Sequence, residues 1–473
     1  GAILRVCCPT SREQAGICST STSTLYQQAL TPDMHAYVLL SWALTLTTSA
    51  FLLLTVTTSR FLLVKPTMWL LVAHILIIQW PAVFTSERIY SFLPDPWSFA
   101  VLVHGFPLIG LAGTHLTARQ SAWEIWQRLP TARMGPDWSR QVLVTGVAIF
   151  VVLLYYFRVV PFSETGLYAI LYNPIGAELA REESLKLVAD PFVRYGYSLI
   201  LAVFAPLLAG LLVSRVLDTR ALQRMQALLL VALILPLLLV AVTLTGARSY
   251  AATLLVTMSL VVAFRLHFSW RLVVFFPLAM AIPAIPTILT IVREGISVDL
   301  PTFASYLQTF LIDRVFLGPL ETGLWYSHFG QTIEFVGIAG IPKLAALAHL
   351  PALNMPNLVG LRYTTTAVAS VHANTGFVFA YYGYFGLASF PISLLLFWGL
   401  DGVLWFVRRL GDTLLPAAVG SLAMGAIIFV TSEYTTALVT HGFALLPATA
   451  FLLDRAASFT LGSWPVRASQ SVI

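Results

Sequence analysis

Charge is what this sequence has least of. Only 10% of its 473 residues are Asp, Glu, Lys or Arg, against roughly 25% in a soluble globular chain. Hydrophobic residues make up 58% and the mean hydropathy is +0.83, which excludes a water-soluble domain. Lysine is nearly missing, at Lys65, Lys186 and Lys343 only, so arginine carries most of the positive charge. The three cysteines, Cys7, Cys8 and Cys18, precede the first apolar run and support neither a disulfide framework nor a metal site. There is no GxxxxGK, HExxH or GxSxG motif, nor a DxD pair of the kind that holds a nucleotide-sugar metal. Phosphate-loop, zinc-hydrolase and serine-hydrolase chemistries therefore lack their residues. No cofactor, no metal and no nucleic-acid partner are expected.

What the chain does have is long apolar runs, near 35–57, 67–85, 97–115, 141–160, 192–214, 226–245, 250–264, 272–291, 374–400, 414–431 and 436–453. A helix crosses the hydrocarbon core in about 20 apolar residues and satisfies its own backbone while doing so. The runs predict an all-α, polytopic integral membrane protein of about 11 transmembrane helices. The alternation of a membrane β-barrel is absent. Residues 1–33 read as a polar, Ser/Thr-rich tail, with Met34 as the expected natural start, and residues 34–473 as one transmembrane domain.

Positive charge orients such a chain. Six connections, near residues 58–66, 117–140, 214–226, 265–271, 405–412 and the tail after Leu453, hold 15 of the 27 arginines and lysines. They are expected in the cytoplasm, and the loops Pro161–Asp190 and Ile291–His372 outside. The stretch "DLPTFASYLQTFLIDRVF" in the second loop reads as an interfacial helix. Glu178, Glu182 and Glu183 in the first read as ordinary solvated charges.

Against this trend stands a set of external cations: Arg248 in "TLTGARSYAATLL", Arg293, Arg314 and Arg362, with His372 and His441. A guanidinium inside a bilayer is costly unless it reaches the interface or a partner, so each has an interface anchor as its plain alternative. Four on one side point instead to an anion, since the guanidinium fork matches phosphate oxygens. Proton acceptors lie among them: Glu294, Glu321 and His372, with Asp313 beside Arg314. Asn374 and the tyrosines of "FAYYGYFG", Tyr382 among them, are candidates for contact with sugars, although an aromatic belt explains the tyrosines equally well.

At these residues the chain resembles the Wzy-type polysaccharide polymerases, the group that includes O-antigen and enterobacterial common antigen repeat-unit polymerases. "TGARSYAATLL" resembles the family's arginine turn opening a span. "LIDRVFLGPLETGLWY" resembles its Arg/Asp–Pro–Glu segment of the large outer loop. "VHANTGFVFAYYGYFGLASFPI" resembles its Asn-containing return into the membrane, and the pair with "EYTTALVTHG" its closing hairpin. The first half of the chain matches in topology alone, and the external amino terminus departs from many relatives.

The resemblance implies a GT-C-like polymerase/ligase architecture in a bacterial inner membrane with the site facing the periplasm. It implies glycosyl transfer between undecaprenyl-pyrophosphate-linked oligosaccharides, with membrane lipids and a chain-length regulator protein as further partners. Arg248, Arg314, Arg362 and Arg293 would hold the departing pyrophosphate; Glu294, His372 or Glu321, unranked, would take the acceptor's proton. Rival readings are an O-antigen ligase, a polyprenyl-monophosphate glycosyltransferase using Glu87 and Asp95, and a lipid-linked sugar flippase. The flippase is disfavoured because no related halves are visible and the charges gather at one face.

Overall fold

The computed structural model describes residues 32–135, 138–172, 188, 190–218, 221–244, 248–269, 299–364 and 373–459, with isolated positions between 284 and 297. Among them are helices and turns and no strand. Those the account needs are α1 (Pro32–Thr58), α2 (Pro66–Phe84), α3 (Ser86–Phe92), α4 (Pro96–Thr114), α5 (Arg119–Arg128), α6 (Trp138–Val159), α7 (Val193–Asp218), α8 (Met225–Thr243), α9 (Arg248–Arg265), α10 (Leu300–Thr309), α11 (Gly318–Thr332), α12 (Met355–Tyr363), α13 (Phe377–Phe385), α14 (Ser389–Gly399, continuing to Val407), α15 (Leu415–Ile428), α16 (Tyr434–Val439) and α17 (Leu445–Phe459).

By length and composition alone, seven stretches are long and apolar enough to cross a membrane: α1, α2, α4, α6, α7, α8 and the run Phe377–Val407, the last of which turns back at Gly386. Residues Tyr250–Arg265 of α9 and the whole of α15 are shorter apolar helices. The expected span at 272–291 falls almost wholly outside the described residues. Burial is inverted relative to a soluble helix. On α1 the buried positions include Ser41, Thr45, Thr48 and Thr55, while Leu39, Leu46, Leu53 and Leu54 are exposed. Small hydroxyls at three- and four-residue steps let helices approach closely, and the leucines face lipid. Helices α2, α4 and α7 are mostly enclosed by the others.

One apolar core joins α1, α2, α4, α11 and α13–α15; a second joins α6 to α9. They meet where α7, α9 and α15 pack together. There the backbones approach so closely that a Cβ on Gly420 would overlap Val261 of α9, a contact that depends on a missing side chain.

Two expected spans are corrected. The run expected as one span over 374–400 is a hairpin. Gly386 has φ +59 and ψ −146, a conformation that essentially only glycine tolerates, and the helix ends there. The two arms then lie side by side: Phe377 of α13 and Phe397 of α14 both pack on Phe106 of α4, and Tyr434 touches Phe377 while its hydroxyl donates to the Leu396 carbonyl at 3.1 Å. Helix α13 therefore starts level with the middle of α4. The run expected at 436–453 is also broken, into α16 and α17, with Gly442 at φ +68 between them.

All six arginine-rich connections gather at one end of the bundle. Lys65 donates to the Thr114 carbonyl (2.5 Å), the Thr117 carbonyl (2.6 Å) and Thr117 Oγ1 (2.8 Å), and its Nζ lies 2.7 Å from Asp401 Oδ2. Arg128 pairs with Asp412 at 2.7 Å and donates to the Arg408 and Leu410 carbonyls. Arg265 donates to the Leu129 and Ala132 carbonyls, Met134 N–H to Asp218, and Gly411 N–H to Asp454. The structure is thus consistent with the charge-based grouping, and we call this the basic end.

Candidate functional site

The far end is organised by α11, "GPLETGLWYSHFGQT". Two of its glycines settle which way it faces. A Cβ on Gly323 would overlap the Phe379 ring, and one on Gly330 would overlap Phe335 and approach Gly383, so this face lies against α13. Glu321, Trp325, His328 and Thr332 recur at three- and four-residue steps and share a different face, which meets α3 and α12. The expected interfacial helix over 299–316 is no separate element. It is α10 with the π turn Phe310–Leu317, which runs directly into α11.

Glu321 Oε1 accepts from Arg88 Nη2 of α3 at 3.1 Å, both partly exposed. One turn on, Trp325 stacks on Tyr363 of α12, centroids 6.0 Å apart. Next comes His328, with Nδ1 2.7 Å from the Tyr363 hydroxyl and its ring 4.7 Å from that of Phe92. Burial lowers the His328 pKa, and the positive charge of Arg362 lowers it further. The imidazole is therefore held neutral to more acidic pH than a free one.

Around this group lie contacts that set positions. Gln331 donates to the Tyr382 hydroxyl at 2.8 Å and to the Asp95 carbonyl at 3.0 Å, and accepts from Asp95 N–H. Asp95 in turn caps α4 through Ser98 N–H and the Ser98 hydroxyl. Glu433 caps α16 through the backbone N–H groups of Thr435 and Thr436 and accepts from Tyr381. A carboxylate with so many donors is a structural cap.

Of the residues singled out in the sequence, Glu321 and Arg362 lie on the adjacent helices α11 and α12, Glu321 paired to Arg88 and Arg362 acting on His328 two turns further along α11. Arg314 is exposed on the π turn, which packs beside residues 75–79 of α2. Arg362 ends α12, where a cation also complements the helix dipole. Asn374 is exposed just before α13. Tyr382 is buried, its hydroxyl taken by Gln331 and its ring packed on the edge of Phe335, so it has no free face for a sugar. Arg248 opens α9; its side chain, together with Arg293, Glu294 and His372, lies outside the described residues.

Arg88 and His328 are the site residues that sequence reasoning missed. Arg88 pairs with a residue 233 positions away, which no local pattern reveals. His328 had a weak signal, sitting seven residues after Glu321 and so two helical turns along the same face. Together Arg88, Arg362, Glu321 and His328 present two cations, a carboxylate and a neutral base at one end of the bundle. That set can hold an anion and accept a proton. Among the described residues no three His, Cys, Asp or Glu side chains are grouped to hold a metal. No family model, no curated protein and no solved structure matches this chain.

Proposed function

We propose that this protein polymerises oligosaccharide repeat units linked to undecaprenyl pyrophosphate, on the outer side of a bacterial inner membrane. The observation that carries the reading is the face of α11. A carboxylate paired to Arg88 and a neutral histidine beside Arg362 lie together at the end away from the arginine-rich connections. In the reaction, the C1–oxygen bond between the nascent glycan and its lipid pyrophosphate breaks. A hydroxyl of the incoming lipid-linked unit forms the new C1–oxygen bond and gives its proton to a base. Undecaprenyl pyrophosphate leaves with the bonding pair.

Guanidinium groups stabilise the charge that grows on the departing pyrophosphate. Arg362, Arg314 and Arg88 are assigned this role, with Arg248 and Arg293 as further members. His328 joins Glu321, Glu294 and His372 as a candidate base. In the tautomer whose Nδ1–H donates to the Tyr363 hydroxyl, Nε2 is the basic nitrogen and is left for the acceptor hydroxyl's proton.

The test uses purified protein and a lipid-pyrophosphate-linked oligosaccharide, without nucleotide and with chelator. Longer lipid-linked products, sharply reduced in Arg362→Ala and Arg88→Ala, support the proposal. Movement of the intact lipid across a vesicle bilayer without elongation overturns it in favour of a transporter.

A further inference from the structure

At the basic end, four cations have a carboxylate partner. Lys65 faces Asp401, Arg128 faces Asp412, Arg265 faces Asp218, and Arg408 faces Glu124. Arg60 and Arg119 form no ion pair among the described residues. Arg119 lines a recess of about 520 Å³ together with Phe61, Gln120 and Trp123, and Arg60 directly precedes Phe61 in the chain. The Arg119 guanidinium sits 5.9 Å from the centre of the Phe61 ring, and Trp123 meets that ring edge-on at 5.4 Å. The carboxylate one turn along α5, Glu124, is occupied by Gln120 and Arg408.

The surroundings are those of a membrane interface. Helix α5 buries Ala122, Ile125 and Trp126 against the protein and leaves Trp123 exposed. The exposed Leu53 and Leu54 of α1 lie one to two turns before the connection that carries Phe61. His115, at the end of α4, has its pKa lowered by burial first and by Arg119 and Lys65 next. A soluble anion has no use for an exposed indole, a half-buried phenyl ring and a leucine-faced helix. A lipid uses all three: phosphate on the guanidinium groups, indole at headgroup depth and acyl chains along α1.

We infer that this recess binds the headgroup phosphate of an anionic phospholipid from the surrounding leaflet, held by Arg119 and flanked by Phe61 and Trp123, with the exposed Arg60 beside Phe61 in the chain adding to the positive charge. The site is independent of the far-end residues and stands or falls without them.

The experiment is native mass spectrometry of the full chain, released from neutral detergent after incubation with phosphatidylglycerol or phosphatidylcholine. Phosphatidylglycerol should be retained and phosphatidylcholine not. Arg119→Gln should reduce retention about fivefold, the effect of one basic residue at a lipid surface. Arg409→Gln removes the same charge at the same end, where the arginine stacks on Trp405, and should retain the lipid. Trp123→Ser, an exposed position, serves should Arg119→Gln fail to fold, and should also reduce retention. Equal retention of both lipids, undiminished retention in Arg119→Gln or Trp123→Ser, or equal loss in Arg409→Gln would overturn the assignment. So would displacement by millimolar inorganic phosphate, which would make this a site for a free anion.

Discussion

Lys65 Nζ lies 2.7 Å from Asp401 Oδ2, with both side chains sealed from solvent, and every remaining polar contact of the pair goes to a threonine or a backbone carbonyl. Thr67 and Thr117 complete the carboxylate's shell. The pair ties the start of α2, the end of α4 and the end of α14 to one point. Burial lowers the Lys65 pKa and the Asp401 carboxylate opposes the shift. Removing one partner strands the other charge and should cost about 3–5 kcal/mol. Lys65→Met or Asp401→Leu alone should lower the melting temperature sharply in detergent, and the double variant should recover most of the loss. Equal loss in the single and double variants would show that the charges do not act as a pair.

The gathering of the arginine-rich connections predicts which loops share a compartment. In a background with Cys7, Cys8 and Cys18 replaced by serine, Leu116→Cys and Leu387→Cys should react with an impermeant maleimide from opposite sides. Both native leucines are exposed. Labelling of both from one side would refute the arrangement of α4 against the hairpin.

For the proposed elongation reaction, His328 as base predicts the acid limb of the pH profile. Protonated imidazole cannot act as a base, and its lowered pKa keeps the ring neutral to more acidic pH. The rate should therefore hold as pH falls below about 6.5 and fail only lower. Arg362→Gln removes a positive neighbour, makes protonation easier and should move the limb to higher pH. His328→Gln should remove the limb. A limb that stays in place in His328→Gln would assign the base elsewhere.

The hairpin rests on Gly386. Gly386→Ala forces a Cβ into a backbone region that costs on the order of 1–3 kcal/mol, within 3.3 Å of the Phe335 ring. Thermal unfolding should register that loss. Gly399→Ala, in α14 with open space around the added methyl, should instead be neutral or stabilising by about 0.5–1 kcal/mol. Equal effects at the two positions would contradict the turn.

Hydropathy located the spans well where one apolar run makes one rod, as in α1, α2, α4 and α6. It fails at 374–400 because both arms of the hairpin are apolar, and the break depends on one glycine's backbone angle. It fails again at α16–α17, where the turn residues His441 and Gly442 sit inside a run otherwise suited to a helix. The arginine bias grouped the connections because charge is costly in lipid wherever the helices pack. The candidate site was less legible. Glu321 and Arg362 stood out as charges, but their neighbours Arg88 and His328 come from packing between helices distant in sequence. The place of Tyr382 is not legible in the sequence, because an aromatic run looks alike whether it faces a sugar, a lipid or a core.

Helix α15 has 14 residues, about 21 Å of rise, against a hydrocarbon core of about 30 Å. Beside it α13 begins at half depth, facing the backbone of Val430 just past the end of α15. No residue of α15 is exposed: α2, α7, α9 and α17 enclose it. Its shortfall in length is therefore closed by protein, and the half-depth start of α13 is reached through the packing of the bundle and not along a lipid-facing wall.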